Sequence, residues 1–325
     1  MRKGIGWAAL LAACTGLCLT GCAPAAPLSG SGLYLDTAIT ITLYDTRDPS
    51  VLEACFQQIA DLESLLSRTV EGSDVWNINH AGGEAVEVAE ETAELIRTAL
   101  DYADKTGGAL DISVAPASRL WDFKAESPSL PDGEELAQAA SHIDWTKIEL
   151  QGCTVRLADP KMELDLGAVA KGYIADRVAQ SLREQGVESA LLDFGGNIVA
   201  LGGKEGRDWT IGIRSPQDGE ALAAAVAVRD CSVVTSGTYE RGFDLGGVRY
   251  HHILDPQTGW PVDNGLASVT ILSARSVDGD ALSTACFVLG EEKGMALVEE
   301  LDGVEALFIR EDGTPIRSSG FPDKE

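Results

Sequence analysis

Between Ser189 and Ser273 the chain reads SALLDF (189–194), WTIGI (209–213), AVAV (225–228), SVVT (232–235), VRYHHIL (248–254) and SVTILS (268–273). Runs of this length, rich in β-branched and aromatic residues and separated by Gly, Asp and Pro, are the signature of consecutive strands joined by tight turns. Working outward, apolar spacing of three and four predicts helices near Asp280 to Leu289 and Glu291 to Leu301, then a strand at Ala306 to Ile309. Upstream, a helix is expected from about Ala168 to Gln185, ended by Gly186, after short strands at Lys147 to Leu150 and Thr154 to Leu157. Earlier still come a helix from Ala89 to Thr106 and one capped by Ser50, with Val51, Leu52, Cys55, Ile59, Leu62 and Leu66 on one face, behind a strand at Ile39 to Leu43. Helices that cluster early and strands that run together later predict an α+β fold, a largely antiparallel sheet core with flanking helices, rather than a doubly wound one.

The chain has 325 residues, 45% hydrophobic and 23% charged, enough for a buried core, and 35 glycines predict many tight turns. Its 25 basic residues stand against 51 acidic ones, a net charge of −26, so no surface of this chain is expected to hold nucleic acid by neutralising phosphates. Residues 1–21 read as an export signal: Arg2 and Lys3 precede an apolar stretch from Ile5 to Leu19 that is too short to span a bilayer. The stretch ends Leu19-Thr20-Gly21-Cys22, which resembles the bacterial lipoprotein signal, and so implies that Cys22 carries acyl chains such as palmitate after cleavage. Losing Arg2 and Lys3 leaves the remainder still more acidic, so lipid rather than a basic patch would hold it to the membrane, on the extracytoplasmic face. Residues 22–32, CAPAAPLSGSG, are expected to form the lipidated tether, with one domain from 33 to 325. Cys55, Cys153, Cys231 and Cys286 show no metal-ligand spacing, so no zinc is expected, and Cys55 and Cys286 fall on apolar helix faces as small buried hydrophobes.

Four segments combine small, acidic and hydroxyl residues. Asp165-Leu166-Gly167-Ala168-Val169-Ala170-Lys171-Gly172 sits at a helix start, where free N–H groups and a lysine suit an anion, or merely cap the helix. Phe194-Gly195-Gly196-Asn197 lacks the order of a dinucleotide fingerprint and reads as a glycine-rich turn. Thr235-Ser236-Gly237-Thr238-Tyr239-Glu240-Arg241 is followed by His251-His252-Ile253-Leu254-Asp255-Pro256, and in a strand at most one of two adjacent histidines faces a site. Asp280-Ala281-Leu282-Ser283-Thr284 places Asp280 and Thr284 on one helix face as hard oxygen donors suited to Mg²⁺, or as a cap and a buried hydroxyl.

Together these motifs, with His-His-Ile-x-Asp-Pro-x-Thr-Gly-x-Pro at 251–261, stand in the order seen in the ApbE family of FAD:protein FMN transferases, often lipoproteins, which the chain resembles from about Leu33 to Ile309. Tyr34-Leu35-Asp36-Thr37, Asn79 and Gly108-Ala109-Leu110-Asp111-Ile112-Ser113-Val114 fit as well, with Leu35 standing where the family often has Met and Leu110 where it often has Phe. The resemblance implies cleavage of FAD, attachment of FMN by a phosphoester to a Thr or Ser of an exported acceptor protein such as a membrane redox subunit, and release of AMP. It implies that Asp280, Thr284 and the Ala168 carbonyl hold Mg²⁺ with Ser283 close by. It further implies that Leu35, Asn79, Ala109, Leu110, Asp111, Asp165, Lys171 and Leu254 contact FAD, and that Ser236 and Gly237 line the same cleft. His252 is the candidate for activating the acceptor hydroxyl. An FAD pyrophosphatase, or a flavin-binding lipoprotein without activity, remains open on sequence alone.

Overall fold

The computed structural model describes residues 26–125, 127–219 and 221–322. The expected signal peptide, the Cys22 lipidation site and residues 23–25 of the tether lie outside the described residues. A hairpin of β1 (Leu28–Tyr34) and β2 (Thr37–Leu43) leads into α1 (Pro49–Leu66), α2 (Asp74–His80), β3 (Val86–Glu87) and α3 (Glu90–Lys105). Next come α4 (Ala115–Ser118), α5 (Gly133–Ala140), β4 (Ile148–Gln151), β5 (Thr154–Leu157) and α6 (Ala170–Glu184). The strand-rich half holds β6 (Ala190–Phe194), β7 (Asn197–Leu201), β8 (Trp209–Arg214), β9 (Leu222–Val228), β10 (Cys231–Gly237), β11 (Gly242–Leu245), β12 (Val248–His251) and β13 (Leu266–Ser273). Then α7 (Ser276–Glu299), β14 (Glu305–Arg310) and β15 (Pro315–Arg317) close the described chain.

Eight strands make one sheet in the order β1-β2-β6-β7-β10-β13-β14-β15. Every neighbouring pair in it is antiparallel, as the α+β reading expected. One face packs against α1, α6 and α7 in a core that includes Ile39, Ile59, Ile174, Val269 and Phe287. The other face is covered by the β8–β9 hairpin, whose Trp209, Ile211 and Val226 meet Val233, Leu272 and Leu307. Because both faces of the central strands are covered, β13 is buried at all eight positions and its sequence does not alternate. No helix among the described residues is long and apolar enough to cross a membrane.

Some boundaries differ from expectation for identifiable reasons. The chain joins the sheet at Leu28, not Leu33: Ser29 and Ser31 meet Thr42 and Thr40 across the hairpin at 2.9 and 2.8 Å, and side-chain-free Gly30 lets Leu52 of α1 approach. A Ser/Gly run thus forms an edge strand where composition suggested a tether. Asp48, not Ser50, caps α1, accepting from the Ser50 N–H with Pro49 in the first turn. α2, capped by Ser73, and β7, following the Gly195-Gly196 turn, were not foreseen. The two C-terminal helices are one element with a break at Gly290 (φ 79°, ψ 178°), and it starts at Ser276, so Asp280 lies in its second turn and does not open it.

Candidate active site

The first turn of α6 and the second turn of α7 meet over the ends of β10 and β7. Asp280, 2% exposed, receives the Lys171 ammonium on Oδ1 at 2.8 Å and the Gly172 N–H on Oδ2 at 2.9 Å. Gly172 lies in the first turn of α6, where N–H groups have no intrahelical carbonyl to meet, and Asp280 supplies its partner. Ser283 Oγ donates to the Asp280 carbonyl at 3.1 Å and shares a 2.8 Å hydrogen bond with Ser236 Oγ at the end of β10. Thr284, four residues after Asp280, stands half-buried on the same helix face. Gly237 is buried there, and a Cβ on it would meet the Tyr239 ring at 2.6 Å. These are the residues expected around the cation and the pyrophosphate, and the fold brings them together.

The two histidines do part company. His251 is buried edge-on against Phe287 and bonds the Val262 carbonyl, a structural role. His252 turns the other way, its N–H and ring nitrogen on the Arg241 carbonyl, and burial aided by nearby Arg241 and Lys171 pushes its pKa down to about 4. It is therefore neutral at physiological pH. Glu240, which the sequence reading left without a role, opens to the same space: crowding by protein raises its carboxyl to about 7, with Lys171 and Asp280 among the charges acting on it. Its Oε1 lies 3.4 Å from where a Cβ on Gly196 would stand, so that glycine leaves it room. Glu240 lies within the Thr235-to-Arg241 motif, but no spacing rule singles it out.

A second group of expected residues gathers at the other end of the 165–171 segment. Asp165 pairs with Arg68 at 3.1 Å, accepts the Gly167 N–H at 2.9 Å, and has its own N–H on the Ile112 carbonyl. Arg68 was not anticipated. Asn79 spends its amide on both backbone groups of Leu164 (2.9 and 2.6 Å), so it braces this segment. Asp111 is likewise bonded internally by Ser113 and the Trp145 N–H, and the side chain of Leu110 is in the core. Ala109 is buried beside them, while Leu35 forms the β1–β2 turn at φ 53°, its N–H held by Glu63 at 2.7 Å. Leu254 belongs to a separate cluster with Ala117, Trp121, Leu136 and Phe243, where Trp121 lies among Phe123, Tyr250 and Trp260.

No group of three or more His, Cys, Asp and Glu side chains among the described residues is arranged to hold a metal. A cation here would instead need Asp280 with neutral oxygen donors. A lysine in the first turn of a helix, beside a buried aspartate, hydroxyls and glycine turns, is an arrangement that suits a phosphorylated ligand. The family model described as the ApbE family matches residues 35–308, and the chain belongs to that family. It is 40% identical over 318 residues to an FAD:protein FMN transferase of Treponema pallidum, covering 91% of this chain and 88% of the relative. A Klebsiella pneumoniae protein of the same name is 40% identical over 295 residues, covering 90% and 92%. Among solved structures, the ApbE protein of Thermotoga maritima matches with a TM-score of 0.84 at 33% identity, covering 92% of this chain and all of that one. The flavin transferase ApbE of Vibrio cholerae matches at 0.83 and 30%, covering 92% and 99%.

Proposed function

We propose that this chain is an FAD:protein FMN transferase. The observation that carries the reading is the buried Lys171–Asp280 pair at the α6 N-terminus, set among Ser236, Ser283, His252 and Glu240 in a chain of the ApbE family. In the reaction the hydroxyl oxygen of an acceptor Thr or Ser bonds to the FMN phosphorus. The bond from that phosphorus to the bridging oxygen breaks, AMP leaves with the electron pair, and the hydroxyl proton passes to a base of the cleft. Most of the catalysis is positioning and charge neutralisation. Lys171 meets the pyrophosphate, the Asp165 end holds the flavin side, and neutral His252 and half-ionised Glu240 are proton acceptors, Glu240 the stronger near pH 7.

The residues fit a divalent cation such as Mg²⁺. Asp280 is a buried carboxylate that already has an ammonium resting on it, Thr284 and the Ala168 carbonyl add hard oxygens, and Ser283 stands beside them. When bound, such an ion offsets the pyrophosphate charge that a chain at −26 would otherwise repel. The lipoprotein-like Leu19-Thr20-Gly21-Cys22 supports placement on the outer side of the cell membrane with an exported acceptor. Mass spectrometry of a Thr-bearing acceptor domain incubated with the protein, FAD and Mg²⁺ tests the function. One added FMN with AMP released is expected; AMP and free FMN beside an unmodified acceptor would make it a pyrophosphatase, and intact FAD would sink both. Loss of palmitate labelling in Cys22→Ser tests the anchor.

A further inference from the structure

The first-turn N–H groups of a helix lack intrahelical partners and are ordinarily met by the residue just before the helix. Neither α6 nor α7 is capped in that way: Val169 and Arg275, at the cap positions, make no side-chain capping bond. Each helix is capped by an aspartate of the other. Asp176 of α6 accepts the N–H groups of Ser276 (2.7 Å) and Val277 (2.9 Å) at the start of α7, while Asp280 of α7 accepts the N–H of Gly172 at the start of α6. The two capping interactions, three hydrogen bonds in all, run in opposite directions across one interface. Gly172 makes the closeness possible, since a Cβ there would fall 2.4 Å from the Ser276 carbonyl oxygen. Ser276 is fixed from a third side by Ser232, which donates to its hydroxyl at 3.0 Å, and by its own bond to Asn197.

From this reciprocal capping we infer that Asp176 is a positioning residue for the transfer reaction, setting the register of α7 against α6 and so the place of Asp280, Ser283 and Thr284 relative to Lys171 and the Ala168 carbonyl. The inference rests on the proposed function for its catalytic meaning but not for its geometry. Asp176 itself lies outside the Lys171–Asp280 contact and acts through the helix start. Its local duty as a cap is separable from its register duty, because a serine at position 275 would give α7 a cap of its own without tying it to α6.

The test compares wild type, Asp176→Asn and Asp176→Asn combined with Arg275→Ser, by amide exchange of residues 170–173 and by steady-state FMN transfer. The Asn side chain keeps the volume but turns a donor toward one of the two N–H groups. Asp176→Asn is expected to speed exchange at Gly172 at least tenfold and to lower kcat at least tenfold, with KM for FAD within twofold, and added Arg275→Ser to restore neither. Unchanged exchange, or recovery of kcat by Arg275→Ser, would overturn the inference, because Asp176 would then be only a cap. Should wild type transfer no FMN, the proposed function fails, and the exchange measurement still decides the clamp.

Discussion

Asp280 is 2% exposed and bound by two donors from α6, whereas His252 hydrogen-bonds the Arg241 carbonyl. Removing Asp280 strips the cleft of its buried carboxylate and frees both Lys171 and Gly172; removing His252 leaves that node standing. Asp280→Ala is therefore expected to abolish FMN transfer, by a factor of a hundred or more, and His252→Ala to reduce it less; full activity of Asp280→Ala in the same assay would remove the cation site from the argument. The two proton acceptors separate by pH. Glu240 is raised to about 7 and His252 lowered to about 4, so the acidic limb of kcat/KM should have a midpoint near pH 7 and vanish in Glu240→Gln. His252 also acts on stability. Its pKa in the folded chain lies below the ordinary 6.5, so the stability it contributes is fully present above pH 6.5 and is lost as pH falls toward 4. Denaturant titrations of His252→Gln between those values should show a flatter acid-side decline than wild type.

At the scale of elements, α7 carries both the site and its support. Gly290 breaks it at φ 79°, ψ 178°, a conformation nearly confined to glycine, ten residues beyond Asp280. Nothing crowds a Cβ there closer than the Asn264 side chain at 3.5 Å, so the cost of Gly290→Ala is backbone strain, about 1–3 kcal/mol. Thermal melting should fall by several degrees while transfer stays within a factor of two. The elements were legible in sequence wherever packing matches a simple pattern: the α1 face of Leu52, Cys55, Ile59, Leu62 and Leu66 is buried as its spacing required. They were not legible where the partner is distant. Leu28 to Gly32 are a strand only because Thr40, Thr42 and α1 lie alongside, and Asn197 to Leu201 only because β6 and β10 flank them. The site divides in the same way. Motif order pointed to Asp280, Lys171, Ser236 and Ser283, whereas Arg68 on Asp165, the Asn79 brace on Leu164 and the Asp176 cap on α7 join residues 97, 85 and 100 positions apart, beyond any local rule.

For the whole molecule the dominant fact is charge. A body at −26 meets a dianionic substrate in a cleft whose own positive groups are few, so diffusion to the site runs against the far field even though local contacts favour binding. Screening within a Debye length of about 10 Å at 0.1 M salt should relieve that repulsion. At fixed Mg²⁺, kcat/KM for FAD is expected to rise between low and physiological ionic strength; a steep fall would mean that the local cations dominate. The early start of β1 bears on reach as well. With the chain pinned to the sheet edge from Leu28, only residues 23–27 separate Cys22 from the folded body, and five residues fully extended span roughly 17 Å. If Cys22 carries lipid as proposed, the enzyme would be on a short leash, its working radius about half that of a tether running to residue 32. Acceptors within its circle would be those that offer their hydroxyl close to the bilayer surface, and lengthening the leash with an inserted Gly/Ser segment would widen the circle without touching the cleft.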